Sequence, residues 1–82
     1  MSKKAFDYCV DTAEVGKRIR SIRKKQAISV SDMADFFGIY PQTIYKWERG
    51  DTLPDIDNLI ALSNYLNVSI DLLLTGKEFS AA

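Results

Sequence analysis

Apolar side chains recur along the chain at intervals of three and four residues, which is the spacing of amphipathic α-helices. In the first such stretch Val15, Ile19 and Ile22 share one face, and no stretch carries a β-strand signal. Polar capping residues, glycine and proline divide the pattern into separate segments. The predicted helices cover residues 12–25, 30–37, 41–49, 56–66 and 70–74.

Short polar side chains mark where these helices begin. Asp11 and Ser29 are each followed three residues later by an acidic residue, as in a capping box. Asp55 and Ser69 can cap the fourth and fifth helices by accepting hydrogen bonds from free backbone amides. The chain is therefore predicted to be an all-α domain of five short helices.

The second and third predicted helices are joined by a tight turn. Gly38 can adopt the left-handed conformation that ends a helix, and Pro41 suits a first helical turn, where its missing N–H is not needed. Two short helices joined by a three- or four-residue turn that contains glycine are typical of a helix-turn-helix unit.

The third predicted helix has two different faces. Ile44, Trp47 and Glu48 share one side, which can anchor the helix through a large indole ring. The other side carries an amide, a phenol and two cations, which are groups that can contact base edges and phosphates in a major groove. A polar stripe is also the ordinary solvated side of a short helix. The residues of this stripe are Gln42, Tyr45, Lys46 and Arg49.

Composition excludes several classes of function. The 82 residues, 46% of them hydrophobic, are enough for one small domain. There is no histidine and one cysteine, Cys9, which excludes Cys/His zinc sites, intramolecular disulfides and Ser/His or Cys/His catalytic pairs. No apolar run has the length of a membrane span or a signal peptide. We therefore expect a cytoplasmic protein that is not an enzyme and uses no metal or other cofactor.

Charge is unevenly distributed along the chain. The net charge is zero, which by itself argues against a nucleic-acid partner, because duplex binding relies on neutralising phosphates. However, residues 15–49 carry a net charge of +5, whereas residues 1–14 carry −1 and residues 50–82 carry −4. The basic part contains the two-faced helix, so the local charge favours a phosphate surface.

Several local features occur together in a specific order. They are Gly38 at the turn, Trp-Glu-Arg-Gly at the end of the third helix, Leu-Pro before the fourth and Val-Ser-Ile-Asp-Leu-Leu at the fifth. With these features, residues 15–76 resemble the Cro and phage-repressor (xenobiotic response element) family of helix-turn-helix DNA-binding domains. The resemblance implies a lambda-repressor-like fold in which helices 2 and 3 form the helix-turn-helix. The chain would then comprise an N-terminal arm (1–11), the DNA-binding domain (12–76) and a C-terminal tail (77–82).

The resemblance also implies roles for individual residues. The positions that match base-reading residues are Gln42, Tyr45 and Lys46. Gln42 can bond adenine N6 and N7, and Lys46 can donate to guanine O6 and N7. Tyr45 can offer its hydroxyl to a phosphate or its ring to a thymine methyl. The positions that fit phosphate-positioning roles are Ser29, Tyr40, Thr43 and Arg49.

Two further features follow from the resemblance. Arg23 and Glu48 match a structural ion pair that joins the first and third helices, although Arg23 can also be read as an exposed helix cation. Domains of this family commonly dimerise through their last helix, which implies a symmetric dimer patch. The residues of this patch are Leu72, Leu73 and Leu74.

Three positions differ from the family pattern. Val30 replaces a glutamine that contacts phosphate, Tyr40 replaces a small capping residue, and Asp51 stands where a cation is common. Each change weakens the expected grip on phosphate. DNA binding is therefore expected to depend more on dimerisation and on Lys46 and Arg49.

The function expected from these observations is sequence-specific binding of double-stranded DNA by a transcriptional regulator. Its simplest form is a repressor that occupies an operator as a homodimer. The alternative is a protein-interaction module, an antitoxin-like or regulatory partner, that uses the same scaffold with weak DNA contact. The zero net charge and surplus apolar residues such as Phe36 and Tyr65 favour this alternative.

Overall fold

The computed structural model describes residues 10–78, and this part of the chain is all-α. It confirms the predicted five-helix fold, and α5 ends one residue later than predicted. None of the helices in this range has the length and apolar content needed to cross a membrane. The helices are α1 (Thr12–Lys25), α2 (Val30–Phe37), α3 (Pro41–Arg49), α4 (Ile56–Leu66) and α5 (Ile70–Thr75).

Four of the five helices begin with a side-chain cap. Asp11, Ser29, Asp55 and Ser69 each accept a hydrogen bond from a backbone amide in the first turn of the following helix, at 2.9 to 3.3 Å. Each of these bonds satisfies an amide that has no partner inside the helix. Tyr40, which precedes α3, makes no such bond. The beginning of α3 therefore depends on the turn before it and on proline at its first position.

The turn between α1 and α2 contains a left-handed residue that the sequence pattern does not predict. Ala27 has a φ of 56°, in the left-handed region where a residue with a Cβ atom is strained by about 1–2 kcal/mol. The Ile28 amide donates to the Arg23 carbonyl at 3.1 Å, so the end of α1 is closed by the same hydrogen bond that glycine-terminated helices use.

The core lies between the five helices, and each of them contributes at least one buried residue. At Gly16, α1 lies so close to α3 that a Cβ atom would overlap the carbonyl oxygens of Trp47 and Glu48. The backbone of α3 therefore lies directly against α1, which fixes its position. The fully or nearly fully buried members of the core are Val15, Ile19, Met33, Ala34, Ile44, Trp47, Leu62, Leu66 and Leu73.

One side chain of α1 and the residue that follows this helix hold the last two helices. Arg18 Nη1 donates a hydrogen bond to the Leu73 carbonyl at 3.0 Å, and Gln26 Nε2 donates to the Leu66 carbonyl at 2.6 Å. Both acceptors are carbonyls near a helix C-terminus, which lack partners inside their own helix. Arg18 therefore secures α5 against α1.

The burial of α5 corrects the predicted dimer patch. Leu73 is fully buried and belongs to the core, so it contributes no surface to such a patch. Leu74 is half-buried and packs against the core, whereas Leu72 is half-buried and lies outside that cluster. Leu73 is the fully buried position of α5, and Leu74 beside it also packs against the core.

Candidate nucleic-acid interface

The third helix separates its side chains into a buried face and an exposed one. Ile44, Trp47 and Glu48 are 0%, 3% and 9% exposed, respectively. The side chains predicted to read bases all lie on the opposite side and are exposed, as is Arg49 at the end of the helix. The helix therefore offers an amide, a phenol and an ammonium group on one accessible surface. These groups belong to Gln42, Tyr45 and Lys46.

The buried face of α3 carries an ion pair with α1. Arg23 Nε donates to Glu48 Oε2 at 2.6 Å, and Arg23 Nη2 donates to Glu48 Oε1 at 3.1 Å. The remaining guanidinium nitrogen, Nη1, donates to the Ile28 carbonyl at 2.9 Å. The hydrogen bonding of Arg23 to Glu48 raises the pKa of Arg23 above its usual value, and burial acts in the opposite direction. Arg23 therefore stays charged, and its bonds to Glu48 fix α3 against α1.

An aromatic cluster supports the helix-turn-helix from the α2 side. The Phe37 ring meets the Trp47 ring edge to face, with 5.7 Å between centroids. Phe36 stacks on Tyr65 of α4 at 4.3 Å, yet it remains 58% exposed. Tyr65 thus covers part of the Phe36 ring, and the exposed remainder forms an apolar ledge with Tyr65 beside the turn.

The predicted phosphate-positioning residues lie in different surroundings. The Ser29 hydroxyl caps α2, so the first amides of that helix lie at the surface beside it. Tyr40 is 79% exposed and Thr43 is half-buried, both at the start of α3. Arg49 is exposed at the other end of α3, where its guanidinium contacts the Asp51 carboxylate.

A groove runs between α1, the start of α2 and the end of α3. Two cations from α1, Lys17 and Arg20, lie one helical turn apart along it. The sequence indicates that α1 is basic, but it does not indicate which of its cations face α3. Arg49 of α3 adds a third cation to this surface, which also includes Arg23 in its pair with Glu48. The other polar residues that line the groove are Ser29, Ser31, Tyr45 and Asp51.

Comparison with known sequences identifies related helix-turn-helix proteins. A family model described as helix-turn-helix matches residues 19–73. The chain is 40% identical over 67 residues to repressor protein C2 of Salmonella phage P22, covering 82% of this chain and 31% of that relative. It is 44% identical over 61 residues to YonR, an SPbeta prophage-derived uncharacterized HTH-type transcriptional regulator of Bacillus subtilis strain 168, covering 74% of this chain and 56% of that relative.

The fold is also similar to a solved structure. A crystal structure of the P22 c2 repressor protein in complex with a synthetic operator has a TM-score of 0.73 and 41% identity, covering 77% of this chain and 96% of that chain. The chain spans 31% of the full-length repressor and 56% of YonR. The likeness therefore extends over one domain of the longer relatives.

Proposed function

Because the chain belongs to the helix-turn-helix family, we propose that it binds double-stranded DNA sequence-specifically and regulates transcription. Its simplest mode of action is repression by occupying an operator. The observation that carries this proposal is the division of α3 into a buried face and an exposed face of hydrogen-bonding side chains. A helix held in this way presents the same groups in the same place each time it meets a duplex.

The dimensions and chemistry of α3 suit the major groove. An α-helix with its side chains is about 10–12 Å across, and the major groove is about 12 Å wide. Gln42 lies in the first turn, where it can donate to and accept from adenine. Lys46 lies one turn later and can donate to guanine, while Tyr45 can contact a phosphate or a thymine methyl.

The phosphate contacts would frame this helix on both sides. Ser29 and the first amides of α2 lie on one side, and Tyr40 and Thr43 lie at the entrance to α3. Arg49 would contact the backbone from the far end. Such contacts fix the orientation of α3 but do not distinguish sequences.

The relatives support an operator as the DNA target. The relative from Salmonella phage P22 is a repressor, and the solved P22 c2 repressor protein is in complex with a synthetic operator. We extend this to a homodimer in the cytoplasm that reads two half-sites roughly 34 Å apart. Leu72, the member of the predicted patch outside the core cluster, is the candidate contact on α5.

Selection of bound sequences from a random duplex pool tests the proposal directly. A recovered consensus, bound at 10⁻⁶ M or tighter with strong salt dependence, is the expected result. A palindromic consensus would support the dimer. A flat response to every duplex would refute the proposal, and a stable protein complex in its place would favour an interaction module built around the Phe36 and Tyr65 ledge.

A further inference from the structure

The Arg49 guanidinium at the end of α3 is already paired with a carboxylate. Arg49 Nη2 lies 2.7 Å from Asp51 Oδ2, and Arg49 Nε lies 3.0 Å from the same oxygen. Together these two donors form the lateral edge of the guanidinium, one of the edges that can grip a phosphate. Both side chains are more than half exposed. A duplex phosphate that approaches Arg49 therefore meets a guanidinium whose lateral edge is engaged.

The pair lies within the basic groove rather than apart from it. Lys17 and Arg20 of α1 line the same groove as Arg49 and Asp51. The other two charged side chains there, Arg23 and Glu48, neutralise each other inside the protein. Lys17 is also paired, with Glu14 at 3.3 Å, so two of the three remaining cations of the groove already have a carboxylate partner. At Arg49 that partner is Asp51.

The Asp51 side chain is not needed to form the turn in which it lies. The Asp51 amide donates to the Lys46 carbonyl at 2.9 Å, and Gly50 takes the left-handed conformation with a φ of 79°. This backbone arrangement closes α3 whatever side chain follows. A carboxylate just beyond a helix C-terminus is also disfavoured by the helix dipole. An acidic side chain at position 51 therefore contributes little to the stability of this turn.

We propose that Asp51 competes with DNA phosphate for Arg49 and so limits both the affinity and the salt dependence of DNA binding. This inference rests on the proposed function. An exposed ion pair contributes little stability in water, so a phosphate can displace Asp51. The free energy gained from the contact between Arg49 and phosphate is then reduced by the free energy needed to break the contact between Arg49 and Asp51. The carboxylate acts through Arg49 and does not itself touch DNA.

The test compares Asp51→Asn with the unmodified chain on the duplex recovered by selection, over a series of salt concentrations. Removing the competing charge is expected to tighten binding by about two- to fivefold. The plot of log affinity against log salt is expected to steepen by up to about 0.9, because the Arg49 charge that meets the phosphate is no longer partly neutralised by Asp51. The matched control is Glu78→Gln, which removes one negative charge beyond α5, outside the groove, and is expected to change neither quantity.

A second background separates competition for Arg49 from general repulsion. In Arg49→Ala, the further change Asp51→Asn is expected to have little effect, because the cation for which Asp51 competes is gone. Equal tightening in both backgrounds would overturn the inference, since it would show direct repulsion of phosphate. Weaker binding by Asp51→Asn alone would also overturn it, because Asp51 would then orient Arg49.

Failure of the proposed function and failure of the inference about Asp51 give different results. If the unmodified chain binds no duplex in the pool, both the proposed function and this inference are refuted. If it binds and Asp51→Asn changes neither affinity nor salt slope, only the inference is refuted.

Discussion

Arg23 and Glu48 join α1 to α3 through two hydrogen bonds in the interior of the domain, at 2.6 and 3.1 Å. The side chains are 9% and 5% exposed, so both charges are largely shielded from water. The helix proposed to read bases is therefore attached to the scaffold by a charged contact as well as by the apolar contacts of Ile44 and Trp47. Removing one charge alone would leave the other buried without a partner.

Arg23→Met is expected to lower the free energy of unfolding by about 3–5 kcal/mol, because it leaves the Glu48 carboxylate buried and unpaired. Urea denaturation followed by circular dichroism measures the change. The loss is expected to exceed that of Lys24→Met, a control in which an exposed cation of the same helix is replaced.

The double variant Arg23→Met, Glu48→Leu tests whether the penalty comes from the orphaned charge. Because both charges are absent, it is expected to recover a large part of the stability that Arg23→Met loses. A double variant no more stable than the single one would show that packing and the hydrogen bond to the Ile28 carbonyl account for the loss instead.

Two glycines with similar backbone conformations are expected to differ in their tolerance of a side chain. Gly38 and Gly50 have φ values of 67° and 79°. A Cβ atom at Gly38 would meet nothing within 4 Å, whereas one at Gly50 would lie 2.7 Å from the Ala13 Cα atom. Gly38→Ala is therefore expected to cost about 1 kcal/mol from backbone strain alone. Gly50→Ala is expected to cost about 1–3 kcal/mol more, because α1 and α3 must separate.

Thermal or urea denaturation of the two alanine variants measures this difference. Equal losses would contradict the close approach of α1 to the end of α3. A larger loss at Gly38 would contradict it as well, since only strain acts there.

The sequence predicts the helices well because their boundaries depend on local chemistry. Asp11 and Ser29 cap the helices that directly follow them, and Gly38 with Pro41 defines the turn between α2 and α3. Each of these signals acts within a few residues. The two faces of α3 follow for the same reason, since helical periodicity alone separates Trp47 from the exposed stripe.

Contacts between distant parts of the chain are not visible in local patterns. Arg18 bonds to the Leu73 carbonyl, 55 residues away, and a basic stretch gives no sign of such a partner. The family resemblance places Leu73 in a dimer patch, and α5 is too short for helical periodicity to identify this leucine as buried. Arg49 and Asp51 are close in sequence, but their pairing depends on side-chain rotamers and on the left-handed Gly50 between them.

Adjacent leucines of α5 are expected to affect different properties. Leu73→Ala removes a fully buried side chain and is expected to lower the free energy of unfolding by about 2–5 kcal/mol. Leu72→Ala is expected to cost less stability but to weaken self-association, which sedimentation equilibrium measures. Unchanged self-association in Leu72→Ala would place the proposed dimer contact elsewhere on the protein.

Residues on the exposed face of α3 are expected to divide into those that read sequence and those that hold the backbone. Gln42→Ala or Lys46→Ala is expected to cost about 1–3 kcal/mol on the selected duplex and to relax preference at one base pair. Arg49→Ala is expected to weaken binding to all sequences alike and to flatten the salt slope by up to about one. Titrations of selected and random duplexes measure both effects, with Lys24→Ala as a charge-matched control. Equal losses on the two duplexes for Gln42→Ala and Lys46→Ala would show that these side chains do not read bases.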